Sequence, residues 1–154
     1  MKIRRAMLSD VPNLQELWVE FMDHHSNLDP DYVRSHDAVA NWARYVHSKF
    51  GDESAAVFVA VDDGHVVGYI GALVRDYPPV FNIKKHGFIE EIAVTEKSRR
   101  LGIASQLWSA AEEWLLAQEV TRIKVNIDTA NPESQGFFRR LGFLDYTETL
   151  LKKY

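Results

Sequence analysis

The chain has 154 residues, 46% hydrophobic and 26% charged, with 22 acidic against 18 basic side chains and a net charge of −4. That size and balance predict one soluble globular domain with a single core, and the acid excess argues against nonspecific nucleic-acid binding. Cysteine is absent, which excludes a disulfide framework, a cysteine-ligated zinc and a cysteine nucleophile, and fits a cytoplasmic setting.

Met1 to Arg5 leads into Asp10 rather than an apolar run, so no signal peptide is expected, and no stretch approaches the ~20 apolar residues of a membrane span. Lys2 to Ala6 reads as a first strand. Ser9 or Asp10 can cap a helix whose stripe is Val11, Leu14, Leu17, Trp18, Phe21 and Met22. It ends near His24-His25-Ser26-Asn27, and Leu28 to Asp31 is a turn. Asp37 can cap a second helix with Val39, Trp42, Ala43, Val46 and Phe50 on one face. Ala55 to Val61 and His65 to Val74 read as strands joined at Asp62-Asp63-Gly64, a hairpin signal.

The next stretch, Gly87 to Ala111, organises the rest. Phe88 to Val94 is a strand, Thr95 to Leu101 a basic loop, and Ile103, Ala104, Leu107, Ala110, Ala111, Trp114 and Leu115 a helical stripe. No Asp, Asn or Thr stands immediately before this helix to occupy its first N–H groups. Lys97, Arg99 and Arg100 surround them. A bare helix N-terminus with added positive charge binds phosphate, and Gly102 and Ala104 leave room for it to approach the backbone. Thr121 to Ile127 then alternates as a strand. Asn131-Pro132 opens a helix with Asn as cap, which ends at Leu141-Gly142, and Phe143 to Leu151 reads as a last strand. The order is β-α-α-β-β-β-α-β-α-β, an α/β layered domain.

Arg99-Arg100-Leu101-Gly102-Ile103-Ala104 resembles R/Q-x-x-G-x-G/A, the acetyl-CoA pyrophosphate loop of the GNAT superfamily of N-acetyltransferases. Asn131 to Phe143 resembles the same family's second block, N-x-x-A/S-x-x-F/L-Y-x-x-L-G-F. Two positions in the loop depart from the usual pattern, Glu96 for a common Pro and Ser98 for a common aromatic, and neither is counted among the backbone donors to the phosphate. The resemblance implies a mixed, mostly antiparallel sheet splayed between strands 4 and 5, with the cofactor in the gap. It implies that acetyl-CoA is held by Ile92, Ala93 and Val94 along its arm, by Arg99, Arg100, Leu101, Gly102, Ile103 and Ala104 at its pyrophosphate, and by Asn131, Ser134 and Phe138. An amide near Ala93 or Val94 would polarise the thioester carbonyl. By the residues alone, Asn131 is equally well explained as an N-cap.

Acetyl transfer to an amine needs a base for the amine's proton, a donor for the carbonyl oxygen and help for the departing thiolate. Glu90 and Glu91 are the candidate bases. In a regular strand they point to opposite faces, and the polyamine acetyltransferases that this pair resembles favour Glu90. Phe138 stands where the family commonly carries a tyrosine, the proposed acid for the thiolate. Tyr146 is a candidate stand-in. The resemblance implies that the region of Asp23, His24, Asp29 and Tyr32 walls the acceptor pocket, a solvated helix end being the plainer alternative, and Tyr77 can belong to a stiff substrate loop or merely to a turn. No metal is expected, because adjacent histidines on a helix diverge and no His-x-x-x-His pair exists. The expected activity is direct transfer to a small amine or polyamine. A protein N-terminus or lysine is the alternative acceptor, and a non-catalytic CoA-binding module is the alternative class. Monomer and homodimer are both left open.

Overall fold

The computed structural model describes residues 1–154. Five strands, β1 (Lys2–Arg5), β2 (Ala55–Asp62), β3 (His65–Asp76), β4 (Lys85–Val94) and β5 (Ile123–Val125), form one sheet in that order. Neighbours are antiparallel except β4 and β5, which run parallel. Four helices cover it: α1 (Val11–Leu28), α2 (Ala38–His47), α3 (Ile103–Ala117) and α4 (Pro132–Arg140).

Alternation along the strands divides the core in two. Ala60, Ile70, Ala72 and Ile89 face α3 and α4, against Leu107, Trp108, Ala111, Leu115 and Phe138. Val59, Tyr69 and Ala93 face α1 and α2, against Leu14, Leu17, Trp18, Trp42 and Val46. The indoles of Trp18 and Trp42 stack at 5.2 Å and join the two helices on that face.

The β2–β3 hairpin turns on Asp63 and Gly64, with φ of 46° and 80°. Two successive left-handed residues match the right-handed twist of the flanking strands, as the Asp-Gly pair predicts. Asp10 stands at the N-cap of α1 but makes no side-chain bond to it. Its carboxylate is buried, receiving Arg4 at 2.7 and 2.9 Å and the Met7 N–H at 2.7 Å. Asp37 likewise makes no side-chain cap to α2. Asn131 does cap α4, accepting the Ser134 N–H at 3.1 Å.

The expected last strand does not form. Phe143 N–H returns to Phe138 O at 3.1 Å, and from there to Tyr154 the chain is irregular and exposed. β5 is only three residues long, so it offers too short an edge for a nine-residue partner. Tail side chains instead make ion pairs, Asp145 with Arg139 at 3.0 Å and Lys153 with Asp31 at 2.6 Å.

Candidate active site

β4 and β5 are paired only at Gly87–Ile123, Phe88–Lys124 and Ile89–Val125. Beyond Ile89 the β5 side of β4 is open. The gap is a cavity of about 370 Å³ between Ile89–Val94, the α1 residues Leu17, Glu20, Phe21, His24 and His25, the start of α3, and Asn131, Ser134 and Phe138 of the α4 region. Thr95 N–H bonds Val67 O at 2.9 Å toward β3. Backbone groups alternate in direction along an antiparallel strand, so Ala93 is paired to β3 while Ile92 and Val94 turn theirs to the gap. Arg99 Nε already takes the Val94 carbonyl at 3.1 Å. The donors left for a guest are the Ile92 and Val94 amides.

At one end of the gap α3 begins without a side-chain cap. Its first return bond runs from Gln106 N–H to Gly102 O at 3.2 Å, which leaves the preceding amides of the turn free. Arg100 and Gly102 have φ of 62° and 77°. The glycine takes that conformation without strain, and a Cβ there would meet nothing within 4 Å, so the approach is open. Arg99, Arg100, Gly102, Ile103 and Ala104 line the cavity. Leu101 turns to solvent. The loop is tied down by Glu20 of α1, which accepts the Glu96 N–H at 2.7 Å and the Thr95 hydroxyl at 3.0 Å. Local sequence gave no sign of this role, since Glu20 sits on the polar side of an amphipathic helix, far away in the chain.

Alternation does not separate Glu90 and Glu91. Gly71 pairs with Glu91 while Ala72 pairs with Ile89, so Glu90 is the extra residue of a β-bulge. Both carboxylates therefore lie on the α1–α2 face, and both border the cavity. Glu91 accepts hydrogen bonds from Trp18 Nε1 at 3.2 Å, Trp42 Nε1 at 3.3 Å and the Tyr69 hydroxyl at 2.9 Å. Burial pushes its proton affinity above the usual carboxylate range, the three donors pull it partly back, and the charge of Glu90 adds to the rise. Glu90 accepts from the Tyr45 hydroxyl and lies 3.3 Å from Lys49 Nζ and 3.9 Å from Arg75. Burial and these carboxylates push both Tyr45 and Tyr69 well above ordinary phenol values. Tyr45, Lys49 and Arg75 escaped the sequence reading, because only the bulge turns Glu90 toward them.

The other anticipated residues divide. Asn131 and Ser134 border the cavity, joined by the capping bond. Phe138 is 2% exposed and packs against Trp108, Phe137 and Phe143, so its edge closes the gap without a hydroxyl. Tyr146 is 67% exposed, outside the cavity wall, with its ring 5.3 Å from Lys124 Nζ. His24 lines the cavity, but Asp23 is bonded to Arg34 at 2.9 Å and Asp29 caps the turn at Pro30–Tyr32. Tyr32 is exposed beside His25, and Tyr77 lies just past the end of β3, its ring tilted against that of His86.

An open mixed sheet, with an uncapped basic helix end at one side of the gap and paired carboxylates on its wall, has the architecture of an acyl-CoA-dependent transferase. Residues 13–143 match the Acetyltransferase (GNAT) family, and the chain belongs to that family; it is an N-acetyltransferase. It is similar to an uncharacterized N-acetyltransferase of Archaeoglobus fulgidus, 29% identical over 90% of this chain and 89% of that one. Among solved structures it resembles a point mutant of the BH1408 protein from Bacillus halodurans, with a TM-score of 0.91 and 22% identity over 100% of this chain and 99% of that one. The aminoglycoside N-acetyltransferase AAC(6')-Iy in complex with CoA gives a TM-score of 0.75 and 20% identity over 99% and 98%.

Proposed function

We propose that this enzyme transfers the acetyl group of acetyl-CoA directly to a primary amine of a small molecule, with Glu91 as the proton acceptor. The observation that carries this reading is the bulge at Glu90, which sets two carboxylates side by side on the wall of the cavity next to an open strand edge. The cradle fits a CoA pyrophosphate: the free amides from Gly102 onward would receive it, with Arg99 and Arg100 alongside. The Ile92 and Val94 amides face the gap where the arm of the cofactor would pair, and Asn131 and Ser134 border it. Acetyl-CoA supplies the acyl group as a thioester.

An alkyl ammonium of pKa ~10.4 has almost no free amine at neutral pH, so the acceptor must lose a proton to attack. Of the two carboxylates, Glu91 has only neutral donors about it and its proton affinity is raised. Lys49 and Arg75 neutralise Glu90. A base whose affinity is raised toward the working pH takes the proton more readily, and in this reading Glu91 is that base. Similarity to an aminoglycoside N-acetyltransferase supports an amine acceptor. The acidic loop after α1 gives no argument for a polyamine, since Asp23 and Asp29 are engaged locally.

The test is acceptor-stimulated CoA release across a panel of amines. Glu91→Gln should lower kcat by roughly 10²–10⁴ near neutral pH with acetyl-CoA affinity little changed, and Glu90→Gln should do less. A reversed order would hand the base to Glu90. Acetyl-CoA binding with no release stimulated by any amine would leave a CoA-binding module without catalysis.

A further inference from the structure

At the opposite end of β4 from the phosphate loop, a second polar cluster lies on the same sheet face as Glu90 and Glu91. Gly87 and Ile89 face α3, where a Cβ at Gly87 would touch Leu115. Alternation therefore turns His86 and Phe88 to the other face with the carboxylates. On β5, Ile123 and Val125 pack into the α3-side core, so Lys124 between them faces the same way as His86. Tyr77 joins them, its ring 4.6 Å from that of His86, with Lys124 Nζ 4.6 Å from its centroid.

This cluster is unsatisfied in two respects. His86 is only 8% exposed, yet its Nδ1 has no hydrogen-bond partner, and neither has the buried Tyr77 hydroxyl. The charged groups facing them are all cations. Burial and then Lys124, Arg75 and Arg122 hold the proton affinity of His86 down, and Lys124 and then Arg122, approaching the Tyr77 hydroxyl as donors without a geometrically formed bond, lower that of Tyr77. Lys124 and Arg122 have no carboxylate partner within 4.0 Å, while Arg75 is 3.9 Å from Glu90. Buried polar groups without partners are costly and uncommon in folded proteins. One ligand feature satisfies both the orphaned atoms and the unbalanced charge: an anionic group that receives the Lys124 ammonium, moved aside on its flexible stem, and the Tyr77 hydroxyl. A neutral His86 with its proton on Nδ1 adds a third donor.

We propose that the acceptor is an amine that also carries a carboxylate or phosphate, gripped by Lys124, Tyr77 and His86 while its amine meets the Glu90–Glu91 pair. The proposal rests on the acetyl-transfer reading above. Lys124 is level with Phe88 one strand over, two residues before Glu90, so the two ends of the acceptor are on the order of 10 Å apart. This separation suits an ω-amino acid, a short peptide or a phosphorylated amine, with Arg75 over the Phe88 ring and 3.9 Å from Glu90 at the amine end.

The test compares matched acceptors on the full-length protein: ω-amino acids of graded length against their amides, and ω-aminoalkyl phosphates against the parent alcohols. At the fitting length the anionic member should have a kcat/KM at least about tenfold higher, the size expected of a charge-assisted hydrogen bond. Lys124→Met should bring the ratio near one, and Lys124→Glu should invert it in favour of diamines. Melting curves check that both variants fold, and Tyr77→Phe should lower the ratio partway. Equal rates for acid and amide at every length in the wild type, or a ratio that survives both Lys124 changes, overturns the proposal. If no amine is turned over, calorimetric binding of the same pairs to the CoA complex decides separately. Tighter binding of acids that Lys124→Met abolishes upholds the anion site without the transfer chemistry, and equal binding removes it. Whichever of carboxylate and phosphate gives the larger ratio identifies the source of the charge.

Discussion

Trp18 and Trp42, stacked 5.2 Å apart on different helices, both donate their indole N–H to the Glu91 carboxylate, at 3.2 and 3.3 Å. One strand residue thereby fixes α1 and α2 to the sheet and is tuned by them. Trp42→Phe keeps an aromatic ring against Trp18 and removes one donor. That donor favours the ionised carboxylate, so its loss raises the Glu91 proton affinity further. Activity is gained as Glu91 deprotonates, so the acidic limb of kcat/KM should move to higher pH. The fold should lose about 1–3 kcal/mol in urea denaturation. A limb that stays in place in this variant would remove Glu91 from the proton transfer.

Acetyl-CoA should raise the melting temperature, with stabilisation of about 2.7 kcal/mol at a hundredfold excess over Kd. Gly102→Glu should abolish the shift. It puts a side chain at φ of 77°, which strains the turn, and aims a like charge at the phosphate position. An unchanged shift would move the pyrophosphate away from the start of α3.

No tyrosine lines the cavity, and Phe138 occupies the place where one was expected. A CoA thiol with pKa near that of cysteine, ~8.5, is a tolerable leaving group unaided. The wild type should therefore be active, Phe138→Tyr should raise kcat, and Tyr146→Phe should leave kcat about where it was. Steady-state kinetics under saturating acetyl-CoA reads all three. The new hydroxyl enters a buried aromatic cluster, so a stability loss of about 1–3 kcal/mol is expected wherever it finds no partner.

The Arg4–Asp10 pair predicts an acid dependence of stability. The hydrogen-bonded Arg4 guanidinium holds the Asp10 carboxyl below its usual range. A depressed carboxylate stabilises the fold fully above its unfolded pKa of ~3.9, and that contribution is lost as pH falls through the folded value. Asp10→Asn should lower the melting temperature at neutral pH, and the gap from wild type should close as the solution is taken below pH ~3.9. A gap that stays constant down to strong acid would show that packing, not charge, sets the cost.

Features whose cause is local were legible in the sequence. Asp63-Gly64 announced the hairpin by its dihedral tolerance, Asn131-Pro132 announced the start of α4, and the absence of Asp, Asn or Thr before Ile103 announced the uncapped start of α3. What escaped depends on counting across strands or on partners far along the chain. The bulge exists because Gly71 and Ala72 skip a residue of β4, and nothing within FIEEIAV reveals that count. Glu20 reaches Glu96 from another element. The last strand failed for a related reason: Phe143, Tyr146, Thr147 and Thr149 suit a strand, but a strand also needs an edge, and β5 supplies three residues.

The bulge also bears on changes of chain length. A one-residue deletion in a central strand ordinarily turns everything beyond it inside out, because side chains alternate with a period of two. In β4 the two glutamates share a face, so removing Glu90 would leave Ile89 and Ile92 toward α3 and Glu91 and Ala93 toward α1 and α2. Both cores would keep their members. The cost would fall on the cavity wall, which would lose one carboxylate, while the β3 pairing on either side of the bulge would hold the loop after β4 in place. The second carboxylate is thus an insertion that the fold accommodates without repacking and without a change in the span of the strand.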